Sequence, residues 1–386
     1  MATALGLAAC GGGGAEVEIG PTGFYSVPSS APGEPGILLR SEPLNVDEAP
    51  AGARGWRILY TTSAGDGAPA VSSGLVLVPG PGSEPVERVV AWAHGTTGVA
   101  DQCAPSRSSD GLAVGGLTVA DEVLRRGWAI VATDYVGLGT VGLHPYLVGQ
   151  PGGRSVLDAV RAAQQLDAVA PRGKTVVWGD SEGGGAALWA AKVAPAYAPE
   201  VRVDGVAALA PATNLPAILE GLPKVTTSAL YLAYLLAAYT STYPDVTYGA
   251  VVEPSAEPKL KRLANYCLDD PKANQAVDAS GVLAGPVLVP GPTDQNLRAR
   301  LAENVPGGRM EAPVLVLQGS ADTLVTPASQ RAYVKEQCAS GTSLDYREYP
   351  GTSHGGIVES MPAMRDLLRW TEGRFGGRPI GTTCAG

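Results

Sequence analysis

The sequence predicts an α/β fold: a mostly parallel, doubly wound sheet with a mainly helical cap inserted late in it. Three observations carry this. Short apolar runs alternate with helix-like stretches from Trp56 to Ala212, the alternation stops from Thr213 to about Gly307, and it resumes at "APVLVLQG" (312–319). Strands alternating with helices of this length are the pattern of βαβ units. With 386 residues, 45% hydrophobic and 17% charged, the chain can bury a large core. That length suits one large α/β domain with an insertion.

The first fourteen residues read as a targeting segment. "ALGLAAC" is a short apolar run that ends in small residues and Cys10, and "GGGG" follows at 11–14. It resembles the end of a bacterial lipoprotein signal, whose cysteine is lipidated after cleavage, although Met1–Ala9 carries no basic n-region. The plain alternative is an apolar tail. Read as a signal, the segment implies an exported protein, extracellular or lipid-anchored at the cell envelope through Cys10.

The core then occupies 15–212 and 308–386, with the cap at 213–307. Residues 15–50, rich in Pro, Gly and Ser, form an extended lead-in. "WRILYTTSA" and "AVSSGLVLVPG" read as two peripheral antiparallel strands, and "ERVVAWAHG" (87–95) as a buried parallel strand ending in a glycine turn. Next come the helix "ADEVLRRG", the strand "WAIVATDY", the helix "RSVLDAVRAAQQL" and the strand "TVVWG" (175–179). A helix from near Gly185, "GAALWAAKVA", and the strand "VDGVAALAPA" complete the first part. Beyond the cap, "APVLVLQG" is followed by the helix "TPASQRAYVKEQC", the strand "LDYREYP" and the helix "ESMPAMRDLLRWTEGRF". Within the cap no charge occurs from Val225 to Pro244. Thr, Ser and Tyr interrupt that stretch too often for a membrane span. It reads as a helix buried between cap and core, the alternative being a mobile lid whose apolar face meets lipid.

A formal net charge of −9 and a pI near 5.0 leave no basic cluster to neutralise phosphates, so nucleic acid is excluded as a partner. The 51 glycines and 32 prolines are scattered, without repeats. Apart from Cys10, the cysteines are Cys103, Cys267, Cys338 and Cys384, with neither C-x-x-C nor zinc spacing. They allow three pairings. Proximity favours Cys338–Cys384, leaving Cys103–Cys267, and free buried thiols are the alternative.

The chemistry centres on "WGDSEGGG" (178–185), which is close to the "GDSGG" of trypsin-like proteases and also fits G-x-S-x-G. Trypsin-like proteases are all-β and place their triad in the order His, Asp, Ser. Here Ser181 follows a strand and precedes a small-residue helix, the context of a nucleophile elbow. The required order Ser…Asp…His is met by Asp322, in the loop after "LVLQG", and by His354, in "YPGTSHGG" after the last strand. One oxyanion-hole N–H is expected from Glu182 and the other from Thr96, with Thr97 as its alternative. His94, which precedes Ser181, reads as a residue holding the oxyanion loop, and His144 as a structural or pocket-wall residue. Taken singly, Asp322 could be a turn carboxylate and His354 a loop histidine; jointly their order and placement favour a triad.

"HGTTG", "TDYVGLGTVGLHPYLVG", "SVLDAVRAA", "GDSEGGGAALWAA" and "QGSADTLV" together resemble the secretory lipase family, the lipase A-like α/β-hydrolases of fungi and actinobacteria. The resemblance runs from about residue 55 to the C-terminus. It implies the α/β-hydrolase fold, a Ser181–Asp322–His354 triad, two disulfides and hydrolysis of lipid-like carboxylic esters. Glu182 departs from the glutamine expected at its position in many relatives. The chemistry so implied needs no metal or organic cofactor, and no protein partner is implied. Competing readings are a short-chain or polyester-type esterase, a peptidase or amidase, and a non-catalytic lipid-binding protein on the same scaffold.

Overall fold

The strands are β1 (Leu38–Pro43), β2 (Arg54–Ser63), β3 (Pro69–Val78), β4 (Val86–Ala93), β5 (Ala129–Thr133), β6 (Val169–Asp180), β7 (Val203–Leu209), β8 (Val314–Gly319) and β9 (Leu344–Tyr349). Among the described residues they form one nine-stranded sheet in the order β1-β2-β3-β5-β4-β6-β7-β8-β9. The structure, a computed structural model, describes residues 23–384 except 28–32, 46, 47, 81, 83, 223–226, 283–286, 288–293 and 380. The segment at 1–14, with Cys10, lies outside the described residues.

Pairings from β1 through β3 to β5 are antiparallel, and all those from β5 to β9 are parallel. The chain leaves β4 for β5 on one side and returns to β6 on the other. A crevice therefore opens at the carboxyl ends of β4 and β6, where α/β sheets carry their sites.

Both faces of the parallel strands are covered, which is why they read as continuous apolar runs. Val89, Ala91 and Ala93 of β4 pack with α3 (Gly149–Ala163) and α4 (Glu182–Tyr197). Val90 and Trp92 point the other way, toward residues of α2 (Ala120–Arg125) and α12 (Met361–Phe375). A four-residue α1 (Gly111–Val114) precedes α2, and α11 (Pro327–Ala339) joins β8 to β9.

Between β7 and β8 the chain runs through α5 (Leu215–Gly221), α6 (Ser228–Thr242), α7 (Tyr248–Val251), α8 (Glu257–Leu263), α9 (Ala273–Ser280) and α10 (Asp294–Glu303). These helices share an apolar cluster of their own, with Val99, Tyr146 and Val148 of the core loops built into it. The uncharged stretch is α6, buried along most of its length. Among the described residues no helix is long and apolar enough to cross a membrane. The disulfide Cys103–Cys267, with Cα atoms 5.3 Å apart, ties this segment to the loop after β4, and Cys338–Cys384 ties α11 to the C-terminal segment.

Three local readings need correction. β1 lies inside the expected lead-in; "LLRSEP" is short, polar and only half-buried, so no apolar period marks it. The helix expected from Arg154 starts at Gly149. Its "GQPGG" looks like a breaker, but a Cβ at Gly149 would stand 1.9 Å from Nε1 of Trp189, so a close helix contact requires that glycine. Likewise α4 starts at Glu182, ahead of Gly185, because its glycines are needed for packing.

Candidate active site

β6 ends at Asp180 and α4 begins at Glu182, so Ser181 alone makes the turn, with φ +53° and ψ −113°. A residue with a Cβ is strained there by roughly 1–3 kcal/mol and persists only when its surroundings over-determine it. They do: Ser181 N–H donates to Leu209 O (2.8 Å), and Ser181 O accepts from Gly185 N–H (3.1 Å) and Ala212 N–H (2.9 Å). The flanking glycines let strand and helix approach. A Cβ at Gly179 would lie 2.0 Å from Gly183 O, and one at Gly183 would lie 2.0 Å from Ala93 O.

The loops after β8 and β9 bring Asp322 and His354 to this turn. His354 Nε2 is 2.8 Å from Ser181 Oγ, and His354 Nδ1 is 2.8 Å from Asp322 Oδ2. Asp322 Oδ1 accepts from Leu324 N–H (2.9 Å) and Val325 N–H (2.8 Å), and its Oδ2 also accepts from Gln318 Nε2 (3.0 Å). Burial opposes charge on His354, yet the hydrogen bond and charge of Asp322, with a smaller contribution from Asp180, hold its pKa above the ordinary imidazole value. With Nδ1–H donated to the carboxylate, Nε2 is free to accept the Ser181 hydroxyl proton.

Glu182 is the first residue of α4, so its backbone N–H is one of the donors a helix start leaves unpaired, at the positive end of the dipole. Its side chain turns elsewhere: Oε1 is 2.7 Å from Nε2 of buried His144, whose ring stacks on Tyr135. Thr96 lines the same cavity as Ser181, and its hydroxyl donates to Tyr146 Oη (3.0 Å). Thr97 O accepts from Leu268 N–H (2.8 Å), so the segment between β7 and β8 is anchored on this loop. His94 stands apart from Ser181: its ring nitrogens lie 2.6 Å from Gly95 O and 3.3 Å from Asp134 O, and burial pushes its pKa down.

The cavity over Ser181 is only about 20 Å³, room for about one water. Ile218 of α5, Leu222 just after it, Tyr231 and Leu235 of α6, and Leu324 line it. Sequence reasoning missed Gln318 and Tyr146. Gln318 is invisible as a strand-end glutamine, whereas Tyr146 sits in "LHPYLVG", a loop already singled out for its histidine.

A serine on a strained strand-to-helix turn, with histidine and aspartate supplied by the loops after the last two parallel strands, defines an α/β-hydrolase. The family model described as secretory lipase matches residues 113–383, and the chain belongs to that family. It is 25% identical to Lipase 10 of Candida albicans over 288 residues, 69% of this chain and 60% of that protein. The chain thus spans less than two thirds of the length of this relative. It is also 25% identical to the secreted triacylglycerol lipase LIP3 of Malassezia globosa over 370 residues, covering 90% of this chain and 80% of that one. Among solved structures, the closed state of Candida antarctica lipase A shares the fold, with a TM-score of 0.76, 20% identity, and coverage of 94% of this chain and 87% of the other.

Proposed function

We propose that this protein is an exported serine hydrolase of hydrophobic carboxylic esters, acting through an acyl-enzyme on Ser181. The observation that carries the reading is the unbroken relay Ser181 Oγ–His354 Nε2 and His354 Nδ1–Asp322 Oδ2, both links at 2.8 Å. Family membership and the named lipases among its relatives support the substrate class.

In this reading His354 Nε2 takes the Ser181 proton as Oγ attacks the ester carbonyl, while Asp322 fixes the tautomer and stabilises the imidazolium. The oxyanion is received by the backbone N–H groups of Glu182 and Thr96, each worth about 3 kcal/mol by comparison with measured holes. Collapse expels the alcohol, which takes its proton from His354. Water, deprotonated by the same nitrogen, then attacks the acyl-enzyme and releases the acid and Ser181. Residues 213–307 act as the cap. The apolar lining of the cavity beneath it favours a hydrophobic acyl chain, and its small volume means that a long chain needs the lining side chains to give way.

Ser181→Ala is expected to abolish hydrolysis of p-nitrophenyl esters in a folded protein; near-normal turnover would contradict the assignment. A short-chain or polyester-type esterase is the rival, favoured by the small size of the cavity. p-Nitrophenyl butyrate against laurate decides between them, a preference for laurate supporting the lipase reading. Envelope attachment through Cys10 is part of the same proposal and rests on the sequence motif. Cys10→Ser should then move the protein from the membrane to the soluble fraction, and unchanged partition would count against it.

A further inference from the structure

Asp180, the last residue of β6, stands directly before Ser181. Its Oδ1 is sealed from solvent and has no hydrogen-bond partner among the described residues, in contrast to Asp322, which is held by four donors. Its Oδ2 lies against the oxyanion loop: a Cβ at Gly95 would come within 2.8 Å of it, so glycine at 95 makes room for this carboxylate. The titratable groups that feel its charge come from four other parts of the fold. They are His354 after β9, Asp322 after β8, Tyr231 on α6 and Tyr135 after β5.

A carboxylate oxygen that is sealed from water without a donor is costly, and such atoms call for an explanation. Burial pushes the Asp180 pKa up to about 6, against the opposing pull of His354, with Asp322 adding to the rise. Above that pH the half-buried group carries a negative charge, and its Oδ1 has no donor among the described residues. His354 is the cation-forming side chain among the groups facing it.

We propose that Asp180 is a positioning residue for the reaction, a second carboxylate that acts through its field to stabilise the imidazolium of His354 while touching neither substrate nor reacting atoms. The role rests on the triad reading above. It divides labour between two acids: Asp322 orients the ring through a hydrogen bond, and Asp180 adds charge from the side of the nucleophile. The consequence has a definite sign. Its field favours protonated His354 in the free enzyme, which moves the acid limb of the pH profile upward. The same field favours the imidazolium of the transition state, which raises kcat.

The test is the pH profile of p-nitrophenyl ester hydrolysis by Asp180→Asn, with Asp180→Ala beside it in case the amide finds no partner, and Ser181→Ala as control. Removing the charge should lower kcat about tenfold at pH 8 with KM little changed. It should also move the acid limb of kcat/KM downward by about one pH unit, the same fold-change expressed as protonation. An acid limb that stays in place in both variants overturns the proposal, whether or not kcat falls, because a purely structural role would not move it. The triad reading is judged separately: it fails if Ser181→Ala retains activity, whatever Asp180 does.

Discussion

The carboxylate of Glu182 lies 2.7 Å from Nε2 of His144, both side chains being buried. The charge next to Ser181 is therefore turned into the protein, while the backbone N–H of the same residue starts α4. One residue supplies two separable things, and they can be separated by mutation. Glu182→Ala leaves a buried imidazole nitrogen unpaired and should lower stability by about 1–3 kcal/mol. Glu182→Gln keeps an oxygen for His144 and should preserve kcat within a few-fold. Thermal melts with ester assays check both, and an alanine variant as stable as the wild type would show that the pair contributes nothing.

The raised pKa of His354 fixes the direction of the pH dependence. Attack needs the neutral imidazole, so kcat/KM should rise with pH through a midpoint above the ordinary imidazole value of about 6.5. The linked stability runs the other way. A histidine whose folded pKa is raised contributes stability that is full below its unfolded pKa and is lost as pH climbs through the folded one. Asp322→Asn should move the activity midpoint down and cost about 10⁴ in kcat, as removal of an orienting carboxylate does elsewhere. A midpoint that does not move in that variant would contradict the coupling.

Gln318 gives Asp322 Oδ2 one of its donors. Gln318→Ala removes that donor without touching Ser181 or His354, and roughly a tenfold fall in kcat with KM unchanged is expected from a loosened acid. Steady-state kinetics decide it. A fall in KM with kcat intact would place Gln318 outside this role.

Much of the fold was legible in the sequence because buried parallel strands announce themselves as apolar runs between helices. The expectation for Ser181 followed from its motif between strand and helix, and those for Asp322 and His354 from their order and their loops after later strands. What sequence could not carry was side-chain direction. Nothing in "GDSEGG" says that Glu182 turns to His144 while Asp180 Oδ1 is left without a donor among the described residues. Nor does it say that Gln318 turns toward Asp322. The early start of α3 was hidden for a related reason, since the glycines that look like breakers are the contact surface for Trp189.

The disulfide Cys103–Cys267 closes a separation of 164 residues and holds the segment between β7 and β8 next to the Thr97–Leu268 hydrogen bond. Replacing both cysteines by serine should cost on the order of 2–4 kcal/mol through the freed unfolded chain. Activity should fall further than stability alone explains, because the loop carrying Thr96, proposed to receive the oxyanion, loses its anchor. Differential scanning calorimetry beside ester assays at a temperature where the variant is folded tests this. Full activity there would show the loop to be independent of the segment between β7 and β8.

The most direct test of Ser181 as the nucleophile is covalent trapping. A p-nitrophenyl alkylphosphonate, which transfers one phosphonyl group to an activated serine and releases p-nitrophenol, is incubated with the folded protein, and the product is digested and read by mass spectrometry. The expected result is one adduct per chain on the peptide containing Ser181, formed with loss of esterase activity and absent in Ser181→Ala and in His354→Ala. A fully active protein without adduct, or an adduct on another residue that tracks the loss of activity, would contradict the assignment.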